Sequence, residues 1–220
     1  MVRRIVNAFP SAILRMYCRI RFLIIGPRFL DPIDRYLPEQ GDVLDIGAGF
    51  GVVALYFSSL HPSRFVHGFE LEQRRVDTAR AAATALAVPN VQFVQGDAAE
   101  MALAEQYDAA YVIDVIHHLP REAVPAFLAK IHAGLKPGGR FLVKEVDNTP
   151  AYKRWFSLLT DRVMGGYDVL VYYWPVAELR AALSQAGFRV EVQRMPDLLP
   201  YPHVLYICEK DAGGARVTSS

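Results

Sequence analysis

Four carboxylates stand at or near the ends of apolar segments, and these residues are the best placed to do chemistry. Asp45 lies near the end of the first segment, Glu70 and Asp114 lie at the ends of the second and fourth, and Asp97 follows the third. An ionised carboxylate accepts hydrogen bonds at both oxygens, so it can hold both hydroxyl groups of a ribose. If the segments form parallel strands, their ends meet at one sheet edge and the acids line one ligand crevice.

Three histidines are candidates for a general base. His117 and His118 follow the fourth segment in DVIHHLP, and His203 ends the proline-bearing loop PDLLPYPH. Because histidine titrates near neutrality, each could remove a proton from a substrate. Glu145 or Asp147, at the end of the fifth segment, is the expected acid partner of His203. The alternatives are packing roles for the first two histidines and an exposed histidine on a stiff turn for the third.

A glycine-rich turn follows the first apolar segment in the stretch VLDIGAGFG, residues 43–51. Glycines let a ligand approach the main chain closely, and the N–H groups at a following helix start favour polar or anionic atoms. A dinucleotide-binding turn, G-x-G-x-x-G, would need its third glycine at position 52, which is Val52. The third glycine stands at 51, so the turn predicts a nucleotide-like ligand other than a dinucleotide.

Apolar and helical segments alternate along the chain, and this alternation predicts a parallel, doubly wound α/β sheet. After a first strand beginning at Val43, strands are expected over Arg64–Glu70, Val91–Gln95, Tyr107–Val115 and Arg140–Val146. Helices are expected over about 52–60, Glu72–Leu86, Pro120 to about Gly134, and Pro175–Ala186. The link between two final strands, Phe188–Met195 and Val204–Lys210, is too short for a parallel crossover, so they are expected to pair antiparallel.

With these features in order, the sequence resembles the class I S-adenosylmethionine-dependent methyltransferases over roughly residues 41–146 and 175–210. The resemblance implies a three-layer, doubly wound, mostly parallel seven-stranded sheet with a C-terminal antiparallel hairpin. It implies S-adenosylmethionine as cofactor, with its methionine part on the glycine turn, its ribose on Glu70 and its adenine facing Asp97. The full set of implied cofactor residues is Asp45, Gly47, Ala48, Gly49, Gly51, Glu70, Leu71, Asp97, Ala98 and Asp114.

The acceptor of the methyl group is expected to bind near a helical insertion at about 150–174. Aromatic and aliphatic residues are frequent there, and they favour a small acceptor of apolar or aromatic character. The candidate pocket residues are Phe50, Glu145, Asp147, Trp155 and Tyr201. Methylation of oxygen is favoured, and methylation of carbon comes next. The alternatives are a membrane-peripheral lipid or quinone methyltransferase and a non-catalytic protein that binds S-adenosylmethionine.

The chain is expected to form a methyltransferase domain over 41–210, after a helical cover over 1–40 and before a disordered tail over 211–220. Residues 1–30 contain six arginines and no aspartate or glutamate, together with many large apolar residues. Three interpretations stay open for them: one or two helices packed on the domain with the arginines facing water, a lid over the acceptor pocket, and a basic amphipathic surface for a membrane.

Composition narrows the remaining classes of function. The net charge is only +1, whereas nucleic-acid-binding proteins typically present a strongly positive surface. After the fourth strand the sequence reads D114-V-I-H, where amino-methylating DNA and RNA enzymes usually carry a proline-rich motif. Cys18 and Cys208 make no metal-ligand or redox pair by spacing, and no metal is expected. No apolar run reaches the roughly 18 residues of a membrane span, so a cytoplasmic or membrane-peripheral location is expected. The oligomeric state is left open.

Overall fold

The fold is taken from a computed structural model, which describes residues 1–97, 106–146, 172–195 and 203–212. Four predicted site residues lie outside these ranges: Ala98, Asp147, Trp155 and Tyr201. Most of the expected insertion over 150–174, the loop residues 196–202 and residues 213–220 of the expected tail also lie outside them.

The described residues include seven strands that form one sheet. The strands are β1 Gly41–Ile46, β2 Arg64–Glu70, β3 Val91–Gln95, β4 Tyr107–Ile113, β5 Leu135–Val146, β6 Phe188–Arg194 and β7 His203–Lys210. Their order is β3–β2–β1–β4–β5–β7–β6. The first five are mutually parallel, and β7 runs antiparallel to both of its neighbours. The predicted doubly wound sheet with a C-terminal antiparallel hairpin is therefore confirmed.

Helices cover both faces of the sheet, which explains why the central strands are nearly continuous apolar runs. The helices are α1 Val2–Ala8, α2 Ala12–Ile24, α3 Pro27–Asp34, α4 Val52–Leu60, α5 Gln73–Leu86, α6 Val124–Gly134 and α7 Val176–Gln185. One core contains buried side chains of α1 to α5, and a second contains those of α6 and α7. Successive side chains of β1 pack into different cores: Val43 lies in the first core and Leu44 lies in the second.

Beyond β3, the fifth strand begins at Leu135 rather than Arg140, and two predicted boundaries in the connection after β4 also need correction. The fourth strand ends at Ile113 rather than Val115, because Asp114 adopts a φ of 59° that breaks the extended chain. The helix predicted from Pro120 begins at Val124, since the Ala123 N–H closes a separate turn on the Pro120 carbonyl at 2.9 Å. These shifts make the connection after β4 longer and place both neighbouring histidines in it.

The register of the final hairpin fixes which side chains share a face at the end of β5. Val146 pairs with His203, and Lys144 pairs with Leu205. Side chains alternate between the faces of a strand. His203 and Lys144 therefore lie on the face covered by α1 to α5, and Glu145 lies on the opposite face.

The N-terminal segment forms three helices that pack on the same face as α4 and α5. Buried side chains along it include Phe9, Phe22 and Phe29, and they join one core with Val43 of β1 and Leu205 of β7. None of the helices in the described part of the chain has both the length and the apolar character needed to cross a bilayer.

Candidate active site

The glycine turn between β1 and α4 owes its spacing to two local constraints. Gly51 precedes the first residue of α4 with a φ of 78°, a left-handed conformation that L side chains rarely adopt. A Cβ at this position would lie 2.6 Å from Cζ of Phe93 and 2.9 Å from Cβ of Ala79. Gly51 is thus required by the helix start and by the Phe93 ring, which explains why the third glycine stands at 51. A Cβ on Gly49, in contrast, would meet no atom within 4 Å, so this part of the turn faces open space.

Glu70 braces the glycine turn from the end of β2. Its Oε2 accepts a hydrogen bond from the Gly49 N–H at 2.8 Å, and its Oε1 accepts one from the Glu72 N–H at 3.1 Å. A carboxylate has about four lone-pair sites, so these two bonds leave acceptor capacity for a diol. The ribose role remains a prediction, and the structure adds a role in holding the turn.

A cavity of about 350 Å³ opens above the turn and brings together nine of the sequence-predicted residues. They are Asp45, Gly47, Ala48, Gly49, Phe50, Glu70, Leu71, Asp114 and His118. A smaller cavity of about 90 Å³ shares Glu70 and Leu71 with the first and contains Asp97 between apolar walls that include Phe69 and Phe127. The larger cavity contains the polar turn and three acids, and the smaller cavity, or slot, has mainly apolar walls.

Asp45 is a buried carboxylate that faces the larger cavity. Its Oδ2 has no hydrogen-bond partner among the described residues. Burial raises its pKa from 3.8 to about 7, with a smaller contribution from the Glu70 charge, while Tyr111 and Arg21 oppose the shift. A cationic group that binds in the cavity beside Asp45 would stabilise the ionised carboxylate and so lower its pKa.

Asp114 is the anionic centre of a second group of charges at the end of β4. Its carboxylate pairs with the Nζ of Lys144 and lies 3.4 Å from a guanidinium nitrogen of Arg21. Burial alone would raise the pKa of this carboxyl, but Lys144, Arg21 and neighbouring histidines outweigh burial and hold it well below its usual range. Lys144 is itself buried, and its Nζ lies 5.6 Å from the centroid of the Phe29 ring.

His117 and Glu145 form a buried pair behind the cavity wall. Nδ1 of His117 lies 2.5 Å from Oε2 of Glu145, whose other oxygen accepts the Ile116 N–H at 2.8 Å. The His117 ring stacks against Tyr173 and lies 4.1 Å from the ring of His118, centroid to centroid. Among the described residues, neither His117 nor Glu145 lines the larger cavity, whereas His118 does.

The predicted pairing of His203 with Glu145 is wrong. The two side chains emerge on opposite faces of the sheet, because His203 pairs with Val146 rather than with Glu145. The ring of His203 is buried against Phe29, with centroids 4.9 Å apart, and its charge acts on Asp114. The other expected partner, Asp147, lies outside the described residues.

Asp114, His117 and Glu145 also offer ligand atoms within 4.8 Å of one another, which is the spacing of a possible metal site. Lys144 and Arg21 already compensate the Asp114 charge, and His117 occupies one oxygen of Glu145. The expectation that the protein needs no metal remains a prediction.

Among the residues of this region that were not predicted from the sequence are Tyr17, Arg21 and Lys144. Tyr17 and Arg21 reach the larger cavity from α2, far away along the chain. Lys144 could have been identified from the sequence, because it is a charged residue inside the apolar run RFLVKEV. A lysine buried at the centre of such a strand needs an acid partner.

Comparison with known proteins agrees with this geometry. Residues 43–139 match the family model described as a methyltransferase domain. A release factor glutamine methyltransferase from Vibrio cholerae is 41% identical over 64 residues, which cover 29% of this chain and 22% of that protein. A ubiquinone biosynthesis O-methyltransferase from Neisseria meningitidis is 28% identical over 175 residues, which cover 76% of this chain and 71% of that protein. The human N-acetylserotonin methyltransferase, solved with S-adenosylmethionine, superposes with a TM-score of 0.66 at 21% identity and covers 86% of this chain and 52% of that chain.

Residues 43–139 are a methyltransferase domain, and the fold is that of the class I S-adenosylmethionine-dependent methyltransferases. In such a methyltransferase the cavity pair must hold an adenosine, a sulfonium and a methionine end. The described residues fit that ligand, because the buried Asp45 oxygen can accept from its ammonium group. Glu70 retains acceptor sites for its ribose, and the apolar slot beside Asp97 is suited to its adenine. The part of the turn at Gly49 leaves room for the methionine end.

The raised pKa of Asp45 predicts that this methyltransferase binds its cofactor more tightly as the pH rises through 7. Below about pH 7 the carboxyl is protonated and must lose its proton before it can pair with the ammonium group. Affinity should therefore rise about tenfold between pH 6 and pH 8 and then level off. Calorimetric titration with S-adenosylhomocysteine measures this directly. Asp45→Asn should bind more weakly and with a flat profile, and an unchanged slope in that variant would show that another group titrates.

Proposed function

We propose that this methyltransferase transfers the methyl group of S-adenosylmethionine to a hydroxyl oxygen of a small, partly apolar acceptor. The observation that carries the proposal is the cavity in which the glycine turn and acids meet a histidine, His118. The similarity to a protein named as a ubiquinone biosynthesis O-methyltransferase supports oxygen as the methylated atom. The match to the release factor methyltransferase covers only 22% of that protein, so its function does not support a substrate for this chain.

Aromatic residues at the cavity edge support an acceptor of apolar character. Tyr17 packs edge-on against Phe50 with ring centroids 5.0 Å apart, and the guanidinium of Arg75 lies 5.6 Å from the Phe50 centroid. Ile113 and Leu119 add aliphatic wall. A ring or short hydrocarbon fits such a surface, and its hydroxyl would point toward the polar end of the cavity.

The chemical contribution of this chain is positioning and proton removal. When bound by the glycine turn, Asp45 and Glu70, S-adenosylmethionine would supply an electrophilic methyl group for transfer to the acceptor oxygen. His118 accepts the hydroxyl proton, because a general base must reach that proton and His118 is the candidate histidine on the cavity wall. His117 is a positioning residue: Glu145 fixes its ring, and that ring packs against His118.

A labelled-methyl assay tests the reaction. The protein is incubated with methyl-deuterated S-adenosylmethionine and a panel of phenols, hydroquinones, amines and activated ring carbons. We expect products only from hydroxyl-bearing apolar acceptors, with the label on oxygen by mass spectrometry and NMR. Label on carbon or nitrogen would overturn the assignment of oxygen, and cofactor binding without any product would support a non-catalytic protein.

His118→Ala is expected to lower the turnover number by about 100-fold, within the range for loss of a general base. Free imidazole should restore part of the activity, because it can occupy the vacated space and accept the proton. His117→Ala should also slow turnover, but imidazole should not restore activity, since this variant keeps the base and loses only the contact that positions His118. His132→Ala, on the C-terminal turn of α6 against Phe188, is the matched control with normal turnover. An imidazole-rescued loss in His203→Ala instead would transfer the role to that residue.

A further inference from the structure

Helix α2 presents three distinct faces, and one of them is apolar and uncovered. Cys18 and Phe22 point into the core, while Tyr17 and Arg21 line the larger cavity. The third face carries four exposed side chains, with relative exposures of 82% for Ile13, 53% for Met16, 41% for Ile20 and 65% for Leu23. Their spacing of three, four and three residues places them on one stripe of the helix. We call these four residues the α2 stripe.

Exposed arginines lie on α2 and on the helices next to it in the chain. Arg19 is exposed on the same helix, and Arg3, Arg4 and Arg28 are exposed on the neighbouring helices. Arg15 borders the stripe and donates to the Phe9 carbonyl at 2.9 Å, which holds its guanidinium beside the turn before α2. Residues 1–30 contain no acid that could neutralise these arginines. An exposed apolar stripe bordered by arginines has the chemistry of a helix that lies in the interface of an anionic membrane.

We propose that the α2 stripe docks the protein on the surface of an anionic lipid bilayer. The stripe enters the boundary between headgroups and acyl chains, and Arg19 with other exposed arginines of the N-terminal helices pairs with lipid phosphates. A second copy of the chain fits the surface less well, because a two-fold contact would bring the same arginines face to face. A protein partner would need acidic groups around an apolar centre, and the experiment below separates it from lipid.

Docking would bring the cofactor cavity close to the membrane. Tyr17 and Arg21 lie on α2 between the core face and the stripe, so the cavity edge and the stripe belong to one helix. An acceptor dissolved in the bilayer could then reach the cavity without crossing water. This last step rests on the proposed function, whereas the docking itself is tested without any methyl transfer.

Vesicle cosedimentation tests the docking with the full chain. We expect binding to vesicles of phosphatidylglycerol and phosphatidylcholine in equal parts, weak binding to pure phosphatidylcholine, and loss of binding at high salt. Ile13→Gln combined with Leu23→Gln should weaken binding by about 100-fold, because two large apolar side chains no longer enter the lipid. Arg19→Gln should weaken binding to anionic vesicles by about fivefold.

Arg180→Gln provides the matched control, since Arg180 is exposed on α7 in the opposite layer and should leave vesicle binding unchanged. Both stripe residues are exposed, so the double variant should keep the wild-type melting temperature. Equal vesicle binding by the wild type and the double variant would overturn the proposal. So would a wild-type dimer, seen by analytical ultracentrifugation, that the double variant abolishes without any vesicle binding by the wild type. Impaired vesicle binding with normal methylation of a water-soluble acceptor would support docking independently of the proposed function.

Discussion

Glu70→Ala is expected to lower the affinity for S-adenosylmethionine by about 100-fold or more. The carboxylate accepts hydrogen bonds from the Gly49 and Glu72 N–H groups, so its loss releases the glycine turn at the point where it faces the cavity. Hydrogen bonds to charged groups are worth about 1.5–3 kcal/mol each. The same change removes the predicted acceptor for the ribose hydroxyls. Isothermal titration calorimetry with S-adenosylhomocysteine measures the effect without turnover.

Two further variants separate these contributions of Glu70. Glu70→Gln keeps the shape and one acceptor oxygen, but it turns an amide N–H₂ toward one backbone donor, so about a tenfold loss is expected. Asp77→Ala removes an exposed acid of α5 and should bind like the wild type. If Glu70→Ala bound the cofactor within threefold of the wild type, neither the brace nor the ribose contact would contribute to binding.

Asp114→Asn should lower the free energy of unfolding by about 3–5 kcal/mol. The change leaves the buried Lys144 charge without its main partner, and removal of one partner of a buried pair costs about this much. Asparagine tolerates the positive φ of this position, so the variant removes charge without adding backbone strain. Urea unfolding at pH 7 gives the value.

The double variant Asp114→Asn, Lys144→Met is the test of the cause. Removing both charges should recover most of the lost stability, and a double-mutant cycle yields their coupling. The depressed pKa of Asp114 adds a pH signature. Its contribution to stability is complete above the ordinary carboxyl pKa of 3.8 and is lost as the pH falls through the lower folded value, so the double variant should lose less stability in acid. Additive single effects would show that the two charges do not stabilise each other.

Local sequence signals were enough for the elements that carry the cofactor residues. β2 and β3 match the predicted ranges because the turn residues Pro62, Pro89 and Gly96 lie next to the apolar runs. Because parallel strands end at the same edge of a sheet, the four acids at or near their ends were expected to lie at that edge. In the structure Asp45, Glu70 and Asp114 line one cavity, and Asp97 lines a smaller cavity that also contains Glu70.

Features that depend on distant segments could not be predicted in this way. The face on which His203 lies depends on a register between β5 and β7, and a shift of one residue would have reversed it. Arg21 reaches Asp114 across 93 positions in the chain, which no spacing rule anticipates. A third N-terminal helix was not predicted, since only two residues, Ile25 and Gly26, separate α2 from α3.

The position of β7 between β5 and β6 has a consequence for how the protein is made. β5 is complete at Val146, but its partner strand starts only at His203. At a synthesis rate of roughly 5–20 residues per second, the edge of β5 stays open for several seconds on the ribosome. An open apolar strand invites pairing with other nascent chains, and charged residues on such an edge discourage it. Lys144 and Glu145 interrupt the apolar run at the end of β5, so the two residues that later organise the site also place charge on this strand while its edge is open.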